Sequence, residues 1–138
     1  MMIKTEIASL LQAFGSKIGL GSTLDLGDEG SIRLNLKESF GLDFQEDPQE
    51  GKLWIYCDLF PGVDMTTSNH LSDLLRLLFT HHRTSDARLA IPQDSFQLFL
   101  ISSFSIPTES HLAPVDLLDE HLQNFVGLAE TLKNSIVL

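Results

Sequence analysis

The hydrophobic positions of the chain repeat first with a helical period and then with strand periods. Ile3, Ile7, Leu10, Leu11, Phe14 and Ile18 stand at offsets 0, 4, 7, 8, 11 and 15. That is one stripe of a 3.6-residue repeat, an amphipathic helix, and Gly15, Gly19 and Gly21 close it. Leu24 and Leu26 then alternate with Thr23, Asp25 and Gly27, and Ile32, Leu34 and Leu36 with Arg33, Asn35 and Lys37. Two period-2 segments joined by Gly27-Asp28-Glu29-Gly30 predict a β-hairpin with a four-residue connection. Residues 40–44 read as a short further strand or an irregular edge, and 45–51 as a polar turn.

Residues 53–60 differ, because both alternating sets are apolar: Leu53, Ile55, Cys57 and Leu59 on one face, Trp54, Tyr56 and Phe60 on the other. Such a strand is covered on two sides, and Pro61-Gly62 ends it. Thr66, Thr67, Ser68 and Asn69 offer N-caps for a second helix with the stripe Leu71, Leu74, Leu75 and Leu78, widened by Leu77 and Phe79. Strands are predicted at 88–91 and 96–104, separated by Pro92-Gln93-Asp94. A long helix begins at Pro114, a residue suited to the first helical position. The order is α-β-β-β-α-β-β-α. Strands that come in local hairpins make this an α+β fold, a twisted antiparallel sheet with three helices in two layers.

At 138 residues the chain is expected to form one domain, 1–138, large enough to build a core without disulfides or metal. Its 43% hydrophobic content argues against a disordered acidic tail. With 9 Lys+Arg against 19 Asp+Glu the net charge is −10, which disfavours nucleic acid and anionic membrane as partners. One cysteine, Cys57, cannot form an internal disulfide, and its apolar setting reads as a buried strand thiol. No apolar run reaches the ~20 residues of a membrane span, and the N-terminus lacks a signal-peptide pattern, so a cytoplasmic protein is expected.

The chain shows little catalytic chemistry. His81 and His82 are adjacent and diverge on a helix, while His111 and His121 lack metal-ligand spacing. Asp43, Glu46, Asp47 and Glu50 lie where solvent would screen them, and Asp116, Asp119 and Glu120 suit a helix start. Gly19-Leu20-Gly21 precedes a strand and has no GxGxxG, GxSxG is absent, and the Ser and Thr hydroxyls have no base beside them in sequence. No metal or cofactor is called for. What exceeds the ordinary is apolar surface: two strands apolar on both faces and a helix apolar over more than half its girth. A C2 homodimer is the expected solution, with three helices covering both sheet faces within one monomer as the alternative.

The order of elements, with Leu24-Asp25-Leu26-Gly27-Asp28-Glu29-Gly30-Ser31-Ile32-Arg33-Leu34, the helix Leu71-Ser72-Asp73-Leu74-Leu75-Arg76-Leu77-Leu78-Phe79, the strand–turn–strand from Ala87 to Leu98 and the closing helix around Leu117-Leu118-Asp119-Glu120, resembles the class I type III secretion chaperones, the Tir-chaperone-like family. The resemblance is one of pattern over nearly the whole chain, and the 40–51 stretch is long and acidic for the family. It implies a non-enzymatic homodimer in the bacterial cytosol that binds the N-terminal region of a secreted effector in extended form, keeping it soluble and secretion-competent. It also allows the secretion apparatus ATPase as a further partner. By position it implies a dimer contact at Leu71, Leu74, Leu75 and Leu78. Effector pockets would fall at Ile7, Leu11, Phe14, Leu24, Leu26, Ile32, Leu34, Trp54 and Tyr56. Two other readings stand beside it: a small cytosolic α+β enzyme or ligand-binding domain with a pocket between sheet and helices, and a regulatory adaptor.

Overall fold

The alternation of apolar and polar side chains decides which face of the sheet is inside. A computed structural model describes residues 6–19, 26, 30–37, 40–81, 86–107 and 111–136. The elements are α1 (Glu6–Lys17), β1 (Ser31–Lys37), β2 (Phe40–Asp47), β3 (Lys52–Asp58), α2 (Leu71–Thr80), β4 (Arg88–Ala90), β5 (Phe99–Ser105) and α3 (Pro114–Asn134). The strands form one antiparallel sheet in the order β1-β2-β3-β5-β4, so β3 is central and bonded on both sides. Among the described residues β1 and β4 are the edges.

On the inner face Leu34, Leu42, Phe44, Leu53, Ile55, Cys57, Leu100 and Phe104 are buried, and the inward stripes of α1 and α3 cover them. The helical stripes are Ile7, Leu10, Leu11 and Phe14 in α1, and Leu118, Leu122, Phe125, Ala129 and Leu132 in α3. Across the outer face run Arg33, Asp43, Gln45, Trp54, Tyr56, Ile101 and Ser103, paired strand to strand by the antiparallel register. The predicted double covering of β3 is therefore half met: Trp54 and Tyr56 are only half-buried, whereas Leu53, Ile55 and Cys57 are fully enclosed.

The α+β class, the three helices and the element order agree with the sequence-based expectation, but the strand boundaries move. The strand predicted at 40–44 runs to Asp47, and the polar turn shrinks to residues 48–51. Its acid content disguised it. Leu42 and Phe44 point inward and are buried, while Asp43 and Gln45 occupy the outer face, an ordinary half-buried alternation. The turn is held by the Glu50 backbone N–H donating to Asp47 Oδ1 at 3.2 Å and by Gly51 at φ 65°, a left-handed conformation that glycine adopts without strain. β1 consequently pairs with β2, with a register shift between Asn35 and Lys37. Most of the segment proposed as its hairpin partner, residues 23–25 and 27, lies outside the described residues.

Strand β3 stops at Asp58 and β5 starts only at Phe99. Between them Leu59, Phe60 and Met65 turn into the core, so the period-2 pattern is broken by burial of two consecutive residues. Leu98 and Phe96 accept backbone hydrogen bonds from Leu59 (3.0 Å) and Met65 (2.9 Å), which ties this loop to the approach of β5. In α3 the one interior glycine, Gly127, is exposed. Its place in the helix costs about 1 kcal/mol relative to alanine.

Leu11 is fully buried between α1, the sheet and α3. Leu11→Ala is expected to destabilise the fold by about 2–5 kcal/mol, from lost transfer energy and the cavity left behind. Urea unfolding should show this as a lower midpoint at unchanged slope.

Candidate functional site

The α2 surface is built by a helix too apolar for one inward stripe. Leu74 is fully buried in the protomer, Leu71 and Leu78 are half-buried, and Leu75 is 55% exposed. Phe79, one turn beyond Leu75 on the same face, is 71% exposed. The four leucines singled out in the sequence are therefore not one surface: Leu74 anchors α2 from within, and Leu75 stands outside. Phe79 was read only as a widening of the stripe, although its i, i+4 spacing from Leu75 places the two together.

The residues singled out for partner pockets also divide. Ile7, Leu11 and Phe14 are core residues, at 3%, 0% and 4% exposure, and Leu34 is nearly so. Leu26 and Ile32 are half-buried against the core, and Leu24 lies outside the described residues. Trp54 and Tyr56 lie on the other side of the sheet, on its outer face. Lys52 Nζ stands 6.0 Å from the Trp54 ring centroid, and burial raises the Tyr56 pKa. These residues thus fall on two surfaces, one among the helices and one across the sheet.

Two of the grooves lined by described residues lie beside the helices. One, of about 550 Å³, lies between α1, β1 and α3, with Phe14, Ile18, Leu34, Leu42, Leu122 and Val126 as apolar walls. Asn35, Asp119, Gln123, Gly127 and Glu130 also line it. Ile18, 40% exposed, stands at its opening. The second, of about 540 Å³, runs where Glu6, Ser9, Leu10 and Ala13 of α1 face Ile106 and residues 113–115. Between them Lys17 Nζ joins the helices, 2.6 Å from Asp116 and 3.3 Å from Asp119. Phe14, Leu34 and Leu122 are core residues on one side and groove walls on the other, so core packing itself shapes the opening.

The structure does bring a base to a serine, which sequence spacing did not reveal. His121 Nε2 of α3 lies 2.9 Å from Ser102 Oγ of β5, and that hydroxyl donates to Asp86 Oδ1 at 3.2 Å. Ser102 is the buried polar residue of the inner face, at 4% exposure, and the Phe104 ring meets the His121 ring edge-on at 5.6 Å. A hydrolytic triad requires the acid to orient the imidazole from its far nitrogen and the serine to be reachable. Here the acid binds the serine and the serine is enclosed. The arrangement satisfies buried polar groups and ties β5 and α3 to the segment entering β4. Burial similarly pushes the Cys57 thiol up to about 11, which suits a core residue rather than a nucleophile. Among the described residues no cluster of three or more His, Cys, Asp or Glu could hold a metal ion, and no helix is long and apolar enough to cross a membrane.

A model of the Tir chaperone protein (CesT) family matches residues 9–133. The chain belongs to that family. It is therefore a chaperone by family. Solved structures share its fold over nearly the full length of both chains. With a chain of the ExsC–ExsE complex the TM-score is 0.75 at 21% identity, covering 97% of this chaperone and 96% of that chain. For a chain of the HopA1–SchA chaperone–effector complex the values are 0.72 and 15%, with 91% of each covered. A chain of the heterodimeric ExoU–SpcU complex, from the type III secretion system of Pseudomonas aeruginosa, gives 0.57 and 20%, covering 93% and 95%. No curated protein matches the chaperone significantly in sequence.

Burial lowers the His121 pKa, and the nearby Asp86 charge only partly opposes this. The unfolded chain takes up the proton near pH 6.5, whereas the native chain does so only at lower pH. The stability this group contributes is therefore intact above pH 6.5 and is lost as pH falls through the native pKa. His121→Gln should flatten the decline in unfolding free energy between pH 7 and pH 5, as measured by urea titration at each pH.

Proposed function

We propose that the chain, as a single chaperone domain over 1–138, works as a homodimer in the bacterial cytosol. In this reading it holds the N-terminal region of a secreted effector in extended form and keeps it soluble and competent for secretion. It does so by binding alone, without an enzymatic step, and the secretion apparatus ATPase is the partner that would receive the cargo. The observation that carries this reading is accessible apolar surface on a strongly acidic member of a chaperone family. Leu75 and Phe79 project from α2, and two apolar grooves open between α1 and α3.

The physics favours an extended cargo. A segment that orders on binding loses conformational entropy and needs many contacts spread over a long path. Separate grooves, a half-exposed aromatic sheet face and the β1 edge, which no further strand pairs among the described residues, provide such a path, since an added strand gains main-chain hydrogen bonds while its alternate side chains enter pockets. The complexes formed by the structurally similar chaperone chains support the same reading. The net charge of −10 keeps these apolar openings soluble between cargoes. For the competing enzyme reading, the Ser102–His121–Asp86 group supplies neither an accessible nucleophile nor the required order of partners.

Tagged chain recovered from its native host and analysed by mass spectrometry should carry one abundant effector at two chaperone chains per cargo. A stoichiometric small ligand with no polypeptide would instead favour the ligand-binding reading. For the dimer, Leu75→Asp places a charge in an apolar contact and should weaken association by about 2 kcal/mol, roughly thirtyfold. Because Leu75 is 55% exposed in the protomer, circular dichroism should remain that of a folded chain. Sedimentation showing an undisturbed dimer would remove Leu75 from the interface.

A further inference from the structure

We propose that Ser102, His121 and Asp86 form a latch that ties the start of β4, and through it the end of α2, to the body of the protomer, and that acid opens it by charging His121. The latch thereby governs how α2 presents Leu75 and Phe79. Only that last consequence rests on the homodimer reading above.

The three groups come from separate parts of the chain: His121 from α3, Ser102 from β5, and Asp86 from two residues before β4. A hydroxyl has one proton, and that of Ser102 is directed to Asp86 Oδ1 at 3.2 Å. The Ser102 oxygen can then only accept from His121, 2.9 Å away, so the imidazole carries its proton on Nε2. The bonds run one way, from imidazole to hydroxyl to carboxylate. Ser102 is enclosed, whereas Asp86 is exposed. A side chain free to stay in water is thus committed to a buried hydroxyl of the inner face.

Position makes this bond matter. Asp86 follows the last residue of α2 by six positions. At its other end α2 follows the loop whose Leu59 and Met65 N–H groups donate to Leu98 and Phe96. Between these ties Leu74 enters the core fully, while Leu71, Leu77 and Leu78 are half-buried. β4 has three residues and, among the described residues, pairs with β5 alone. Elements held this lightly open before the rest of a fold does.

The surroundings of His121 set the direction. Its helical neighbours Leu117, Leu118, Asn124 and Phe125 carry no charge, and Ser102 and Phe104 face it from β5. Asp86 supplies an opposing charge from beyond the hydroxyl, but burial outweighs it and disfavours an imidazolium in the closed latch. Turning the half-buried ring out to water relieves that charge, which takes the donor from Ser102 and loosens Asp86.

Hydrogen exchange of the full-length chain, followed by mass spectrometry and corrected for intrinsic pH dependence, reads the latch. It is run on the unsubstituted chain and on Leu75→Asp, so that dissociation is not mistaken for opening. Between pH 7.5 and pH 5.5, α2 and β4 should lose protection by roughly tenfold while β2 and β3 keep theirs. Ser102→Ala and Asp86→Ala should show the same loss already at pH 7.5. His121→Gln, whose amide can donate to Ser102 but gains no proton, should hold both elements closed at pH 5.5. A merely structural hydrogen bond would leave no pH step for glutamine to remove. Loss spread evenly over the sheet, or no loss, in both alanine variants overturns the latch, and a pH step that survives His121→Gln overturns its trigger. In sedimentation at pH 7.5, Asp86→Ala should weaken self-association about fivefold. Undisturbed association alongside lost protection overturns the link to the α2 surface. A chain monomeric at every concentration removes the dimer reading, and exchange in α2 and β4 still decides the latch.

Discussion

Everything in the fold depends on the inner face of β3. Leu53, Ile55 and Cys57 are fully buried there, and the same strand is hydrogen-bonded to β2 on one side and β5 on the other. A strand in this position cannot shift by one residue, because that would exchange these three side chains for Trp54 and Tyr56 and open the core. With β3 fixed, the inward registers of β2 and β5 follow, and so do the surfaces against which α1 and α3 must lie. The grooves open at the margins of the contact that α1 and α3 make with each other.

This division of labour makes the inner layer structural and the margins available for contact. Phe14, Leu34 and Leu122 belong to both, since each is nearly buried yet forms a groove wall. Removing such a residue would alter stability and the shape of the groove at once, whereas Leu75 and Phe79 stand exposed on α2. A change at such exposed positions leaves the β3-centred layer undisturbed.

Much of this was legible in the residue pattern. The three helices, the element order and the α+β class all follow from periodicity, and α3 begins at Pro114 as its sequence predicts. Strand β2 was harder because it is dense in acid, so that Asp43, Glu46 and Asp47 look like a loop until Leu42 and Phe44 are seen to point the same way. The passage from β3 to α2 was misread for the opposite reason. Leu59 and Phe60 are both buried, and burial of neighbours in a turn has no period to detect. At the candidate site, the apolar content of α2 could be read directly, but not that Leu74 faces in while Leu75 faces out, which depends on how the helix is rolled against α3. The approach of His121 to Ser102 was beyond reach, since 19 residues and a change of element separate them.

The two margins of the sheet are unequal. β1 has seven residues, whereas β4 has three. A sheet with two long open sides can pass a growing ladder through itself, gaining a strand on one side and offering a fresh template on the other. Among the described residues the far margin is the short β4, so copies joined edge to edge through β1 find little template on their other side. In a member of a chaperone family this lopsidedness is a safeguard: the holder does not become a seed.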